Sequence, residues 1–304
     1  MSKRYPRSVL ASCVIPWDDD FELIESTFRE EIRHTIKNGF RNLYIFGTAG
    51  EGYAVTLSQF EEIVSIFWDE TTRHEVDPMV GVIGMSTKQV VEKIELAYDT
   101  GFRVFQISLP PWGELNDYEY LTYFTDVCGS FPDASFLHYN LPRPKRVLVT
   151  EDYKRLQDKV PNLVATQYMS ASLKECYTLV RETDLQHFFG DFNFPSGCLF
   201  GECSLLSSFG PLIPKRTQEY FQYGVNRDFK NLFEMQAKLT RVMDDFLGPV
   251  LALPLIDGTY DKMIARAGGV DMPLRLLPPY QGVDLETYNA CLTNLIQKHG
   301  GWLE

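Results

Sequence analysis

The chain has 304 residues, of which 44% are apolar, 13% aromatic and 23% charged, with a formal net charge of −12 at pH 7. That composition excludes a disordered chain and provides for a large buried core. The acidic balance argues against a nucleic-acid groove or an anionic membrane surface, but one local basic pocket would still take a small acidic ligand.

The opening segment, "MSKRYPRSVLASCVIPWDDD", is basic, and its apolar run is broken by Pro16 and by Asp18 to Asp20. It does not read as a secretory leader, and no run approaches the ~20 apolar residues of a membrane span. The six cysteines show no paired CxxC spacing, so they are expected to be reduced thiols of a cytoplasmic protein.

Strand-like runs then alternate with amphipathic stretches. "SVLASCVIP" reads as a strand, and "FELIESTFREEIRHTIKNG" as a helix, with apolar Leu23, Ile24, Phe28, Ile32 and Ile36 at helical spacing and Gly39 as its stop. "NLYIFG" precedes "LSQFEEIVSIFWDETTRH", and "MVGVIG" precedes "STKQVVEKIELAYDTG". "RVFQISL" precedes "DYEYLTYFTDVCGSF", and "ASFLHYN" precedes the helix around "EDYKRLQDKV". "NLVATQ" precedes "ASLKECYTLVRET", "LQHFFG" a short helix near "PSGCLFG", and "CSLLSS" the helix "PKRTQEYFQYG". Consecutively apolar strands suit a parallel sheet covered on both faces. Some eight strand-then-helix units fit an α/β chain folded as a (β/α)₈ barrel of roughly 250 residues. A doubly wound sheet would show a glycine-rich fingerprint after its first strand, where this chain has "VIPWDDD". Residues 1–225 are assigned to the barrel and 226–304 to a C-terminal helical region packed on it. That region reads as "DFKNLFEMQAKLTRVMDDFL" and "LETYNACLTNLIQKH" with a Gly/Pro-marked stretch between them.

In such a barrel the chemistry sits at the C-terminal ends of the strands. The polar residues there are Thr48 to Glu51, Tyr139, Asn140, Gln167, Asp191, Ser207 and Ser208, with Trp112 after the fourth strand. "FGTAGEGYAVTLSQFEE" is the most informative segment. Gly47 and Gly50 bracket a turn whose Thr48 and Ala49 N–H groups can face inward and bind a carboxylate. Thr56 and Gln59 form a capping box for the helix that follows. In "LHYNLPRPKR", Tyr139 ends a strand where a phenol can pass a proton. Arg143, Lys145 and Arg146 supply local positive charge. The five histidines show no metal-ligand spacing, and His138 should face away from Tyr139.

These segments together resemble the dihydrodipicolinate synthase / N-acetylneuraminate lyase family. Gly47-Thr48-Ala49-Gly50-Glu51 is similar to its GTTGE-type loop and Tyr139-Asn140-Leu141-Pro142 to its YNVP motif. "FFGDFN" resembles its SGDD segment, and "GTYDKMIARAGGVDMPLRLLPP" its C-terminal region, with Lys262 on the Pro-x-Lys lysine. The order holds over nearly the whole chain. The resemblance implies a barrel with a C-terminal helical bundle, assembled as dimers or tetramers, that needs no metal or other cofactor. It also implies a strand-six lysine that forms an imine with an α-keto acid. Laid on "NLVATQYMS", that lysine position is Gln167, whose amide nitrogen is not nucleophilic; Lys159 and Lys174 should point away from the barrel axis. Trp112 falls where synthases carry a tyrosine that reaches into the neighbouring subunit, which makes it the interface candidate. Pro144 falls where synthases often carry an arginine. Of the proton relay, Thr48 and Tyr139 remain as the catalytic candidates. Thr48, Ala49, Gln167 and Leu205 are the candidates for binding substrate. Two functions follow as expectations: a lyase-type enzyme acting on a small α-keto acid or related carboxylate without the lysine imine, or a non-catalytic member that binds such a metabolite.

Overall fold

The structure is a computed structural model that describes residues 4–169 and 172–303. Eight parallel strands close into one barrel. They are β1 (Val9–Ser12), β2 (Asn42–Ile45), β3 (Asp77–Val82), β4 (Val104–Ile107), β5 (Ser135–Asn140), β6 (Leu163–Tyr168), β7 (Gln186–Gly190) and β8 (Ser204–Ser207), and β8 pairs back onto β1. Helices follow each strand in turn: α1 (Glu25–Lys37), α2 (Leu57–Thr71), α3 (Thr87–Thr100), α4 (Asp117–Gly129), α5 (Thr150–Gln157), α6 (Leu173–Glu182), α7 (Phe194–Phe200) and α8 (Pro214–Val225). The chain continues through α9 (Phe229–Leu251), α10 (Gly258–Ala267) and α11 (Leu285–Leu303). Helix α9 packs on α7, α8 and α11. No helix among the described residues is long and apolar enough to cross a membrane.

Two cores follow from the alternation of side chains along each strand. Leu10, Tyr44, Met79, Leu137, Ala165, Phe188 and Leu206 fill the barrel interior. Residues one position away, such as Ala11, Ile45, Phe105, Phe136 and Leu205, join the larger layer between strands and helices. The β5–β6 register shifts between Phe136 and Leu137, so Leu137 lies opposite Ala165 and Tyr139 opposite Gln167. A bulge of this kind re-aims the side chains beyond it, and here it brings Gln167 onto the inner face beside Tyr139.

The helix starts behave as the sequence suggests. Thr56 accepts the Gln59 N–H and the Gln59 side chain returns to the Thr56 backbone, which completes the capping box of α2. Helix α10 falls in a segment to which no helix is assigned from the sequence. Its ten residues begin with Gly258 and are followed by Gly268, and both glycines read as turn signals.

Candidate active site

The β2–α2 turn sits at the C-terminal mouth of the barrel and needs close backbone approaches. A Cβ on Gly50 would lie 2.6 Å from the Phe46 nitrogen, and one on Gly47 would lie 2.7 Å from the Tyr44 ring. Two non-glycine residues, Phe46 and Glu51, adopt left-handed backbone angles at its two ends, with φ of 62° and 54°. Such residues persist only where their surroundings hold them. Glu51 is held by its buried carboxylate. Trp17 Nε1 donates to it at 2.8 Å, Leu277 N–H at 2.6 Å, and the fully buried Lys262 ammonium lies 2.7 Å away. The N–H groups of Thr48 and Ala49 have no protein acceptor among the described residues.

The Thr48 hydroxyl and the Tyr139 hydroxyl are 3.0 Å apart. Arg143 Nη1 donates to the same threonine oxygen at 3.3 Å, and its Nη2 donates to Asp257 at 2.9 Å. Burial raises the Tyr139 phenol above its ordinary range, and the hydrogen bond to Thr48 offsets only part of that. At neutral pH Tyr139 is therefore a hydrogen-bond donor and proton relay, not a phenolate base. Gln167 is buried, and its side-chain oxygen accepts from Gln106 Nε2 at 2.7 Å. Its own amide N–H₂ group has no protein acceptor among the described residues.

These groups line a cavity of about 370 Å³, together with Tyr44, Ala49, Leu206, Ser208, Asp191 and Asp261. Asp191 accepts from the Ser207 hydroxyl and the Ser208 N–H, both at 2.9 Å, yet burial still pushes it up to about 6. Asp261, half-buried, is pushed up to about 7 by desolvation and by the nearby Asp257 charge. A second cavity of about 440 Å³ meets Thr48 from the other side and is lined by Tyr53, Ser108, Arg143 and Pro144. An open groove of about 800 Å³ between the Trp17–Ile24 loop and residues 273–285 lies away from Tyr139 and Gln167.

The structure thus brings Thr48, Ala49, Tyr139 and Gln167 together, and it places one expected binding residue, Leu205, elsewhere. Leu205 lies in the layer between strands and helices, with its side chain turned from the barrel interior, so it does not reach the cavity. Its neighbour Leu206 does, because successive strand residues face opposite sides. Trp112 stands on the β4–α4 loop, 81% exposed and outside the cavity walls. His138 faces outward, with Nδ1 2.9 Å from the Tyr153 hydroxyl. Lys159 and Lys174 are exposed, and among the described residues no lysine lines the cavity. Sequence reasoning missed Gln106, Asp257 and Asp261. A lone glutamine inside the apolar run "VFQI" and an aspartate one residue before Lys262 were the available signals.

The model of the dihydrodipicolinate synthetase family matches residues 5–298 of the chain. Among curated relatives, N-acetylneuraminate lyase of Shigella boydii is 24% identical over 240 residues, which span 78% of this chain and 80% of that protein. N-acetylneuraminate lyase of Escherichia coli is 23% identical over the same spans. Among solved structures, YagE from Escherichia coli K12, a prophage protein of the dihydrodipicolinic acid synthase family in complex with pyruvate, superposes with a TM-score of 0.85 at 17% identity. That match covers 96% of this chain and 98% of the other. N-acetylneuraminate lyase of Proteus mirabilis superposes with a TM-score of 0.83 at 16% identity, covering 96% and 98%.

Proposed function

Because the chain belongs to the dihydrodipicolinate synthetase family, we propose that it is an aldolase-type lyase acting on a small α-keto acid or related carboxylate by a route that forms no lysine imine. The observation that carries this reading is Gln167. It is the penultimate residue of β6, directly opposite Tyr139, with its amide oxygen held by Gln106 and its N–H₂ group left to the cavity. In this reading the substrate carboxylate rests on the Thr48 and Ala49 N–H groups, and its keto oxygen accepts from the Gln167 amide and the Tyr139 hydroxyl. For cleavage, Asp191 or Asp261 takes the proton of the substrate's β-hydroxyl, the carbon–carbon bond breaks, and the electron pair moves onto the keto oxygen as an enolate. Tyr139 then protonates that enolate and is reprotonated through Thr48. Fixed donors aimed at a developing oxyanion lower the barrier, though by less than a full iminium charge, so turnover is expected to be slow. The six cysteines are all unpaired, which supports a reducing, cytoplasmic setting.

A second reading is favoured by the Gln106–Gln167 bond itself. It locks a donor in place with no nucleophile behind it, which suits a site that binds the metabolite without turning it over. The test is a panel of α-keto acids with and without aldehydes, followed by carbon–carbon bond formation or cleavage, with calorimetric binding in parallel. Turnover supports the lyase, and binding alone supports the non-catalytic member. Absence of both removes the keto-acid reading.

A further inference from the structure

We propose that the site takes a keto acid with an apolar tail: an alkyl or aryl group, carried beyond the carbon–carbon bond that is broken, seats against the ends of β6, β7 and β8 and against helix α9. The inference deepens the proposed keto-acid reading and rests on it.

The cavity of about 370 Å³ is larger than a three-carbon acid fills and lies in the range that takes a whole small molecule. Six large apolar side chains, Met169, Phe192, Phe209, Met243, Leu247 and Leu251, line it together with Thr48, Tyr139 and Gln167. Met169 follows Gln167 by two residues, the spacing that keeps side chains on one face of a strand and sets the second roughly 6–7 Å further along. Phe192 follows β7 and Phe209 follows β8. Met243, Leu247 and Leu251 recur every fourth residue of α9 and so form one row.

Phe209, Met243 and Leu247 are buried, whereas Met169, Phe192 and Leu251 are exposed, so the apolar surface runs out to the rim. Large apolar side chains gathered in water at the rim of a cavity mark a place for an apolar ligand. The surface is also held in shape. The Phe192 and Phe209 rings meet edge-on with centroids 5.6 Å apart, and the Phe192 carbonyl accepts from Gln236 Nε2 of α9 at 2.5 Å. A preformed wall binds without the cost of ordering a loose loop.

Charge narrows the tail further. Among the described residues no lysine, arginine or histidine lines this cavity, whereas Asp191, next to Phe192, and Asp244, next to Met243, both do. A second carboxylate or a phosphate on the tail would meet like charge and no counter-ion. A polyhydroxylated tail would lay its hydroxyls on phenylalanine, methionine and leucine side chains that give them no good hydrogen-bond partner. Asp191 already accepts from the Ser207 hydroxyl and the Ser208 N–H. In a 4-hydroxy-2-keto acid with an apolar tail, the C3–C4 bond breaks and its electron pair moves onto the keto oxygen. The hydroxyl proton passes to the aspartate, and the products are pyruvate, once its enolate is protonated, and an apolar aldehyde.

Isothermal titration calorimetry of the full chain tests this with pyruvate and a six-carbon series: 2-oxohexanoate, 4,5,6-trihydroxy-2-oxohexanoate, 2-oxohexanedioate and hexanoate. The expected result is that pyruvate binds and that 2-oxohexanoate binds about tenfold tighter than the trihydroxy acid, the dianion or pyruvate. That preference should fall toward one when Phe192→Ser and Met169→Ser are combined, and Phe192→Leu should keep it. Both positions are exposed, so the substitutions leave the fold intact. If pyruvate binds but the alkyl tail brings no preference, or if the preference survives the combined substitution, the inference is overturned and the keto-acid reading stands. If hexanoate binds as tightly as 2-oxohexanoate, the keto-acid reading falls and the apolar subsite stands. If no member of the series binds, both fall.

Discussion

At position 167 the side chain sets which chemistry is open to the barrel. An amide cannot attack a carbonyl, whereas an amine in the same place could. The unaltered chain should therefore show no borohydride-trappable adduct with pyruvate. The Gln167→Lys variant should form one slowly. Burial lowers a lysine pKa and favours the neutral nucleophile, but the cavity carboxylates favour the ammonium and work against it. The substitution also strips Gln106 of its acceptor, which costs about 1–3 kcal/mol for a buried donor left unmade. Intact-mass spectrometry after reduction reads the outcome; a pyruvate adduct on the unaltered chain at any barrel lysine would refute the assignment of β6. Gln167 was legible in the sequence because it closes an apolar strand inside a resembling segment. Leu205 was off by one residue, because a period of two puts neighbouring residues on opposite faces and register is not written in composition. Gln106 was illegible as a partner, since only barrel closure and the bulge in β6 bring it within 2.7 Å of Gln167.

At the scale of elements, the β2–α2 turn and α10 are fastened by one ion pair. Lys262 and Glu51 are both fully buried and 2.7 Å apart, and Lys262 also donates to the Arg275 carbonyl. Burial pulls the lysine down to about 8, so the pair contributes geometry more than net stability. Removing one partner is another matter, because it leaves the other charge buried without compensation. Lys262→Met should cost about 3–5 kcal/mol and loosen the Thr48 turn that Glu51 holds in its left-handed conformation. Adding Glu51→Gln to that variant should restore part of the loss, since the amide oxygen can still accept from Trp17 or from Leu277. Urea unfolding of the single and double variants measures both, and a single variant within about 1 kcal/mol of the unaltered chain would show that the pair holds nothing. The lysine was visible in the sequence through its resembling segment. Its partner was not, because Glu51 and Lys262 lie far apart in the chain and only the fold brings α10 against the β2–α2 turn.

At the scale of the whole molecule, the barrel followed from the count and order of strand-helix units, each of which carries its own periodicity. Its assembly does not follow in that way. Trp112 and Tyr118 are 81% and 77% exposed on the β4–α4 loop and the first turn of α4, and exposed aromatics of that size act as interface anchors. A dimer or tetramer is expected by sedimentation at micromolar concentration, with Trp112→Glu shifting it toward monomer; a monomeric unaltered chain would remove the role assigned to Trp112.

The charge balance of the folded chain also predicts where on the pH axis it is most stable. Glu31 on α1, Asp191 after β7 and Asp261 on α10 are pushed up to about 7, about 6 and about 7, chiefly by burial. In the unfolded chain the same groups titrate near ~4. Between those values the folded state holds protons that the unfolded state has lost, so stability from these groups falls as pH rises and the whole cost is present above about pH 7. His138 and His187 act in the opposite sense. Burial lowers both to about 3, while the unfolded chain protonates them near ~6.5. Their contribution is complete above about pH 6.5 and is lost as pH falls. Asp69, Asp117 and Asp245, held below the usual carboxylate range mainly by arginine, lysine and histidine partners, also lose stability as pH falls through that range. The melting temperature should therefore rise on acidification from about pH 8 to about pH 6.5, where the buried carboxyls take up their protons and outweigh Lys262, which titrates at about 8 in the opposite sense, and change little down to about pH 5, where the carboxyls and the histidines oppose each other. Below about pH 4 it should drop steeply. Glu31→Gln keeps an oxygen for the Val14 N–H that Glu31 now accepts at 3.4 Å, and it should flatten the alkaline limb. Thermal melts of both proteins across that range provide the measurement. A melting temperature that climbs between about pH 6.5 and 8, or an alkaline limb unchanged by Glu31→Gln, would show that these carboxyls do not hold their protons in the folded chain.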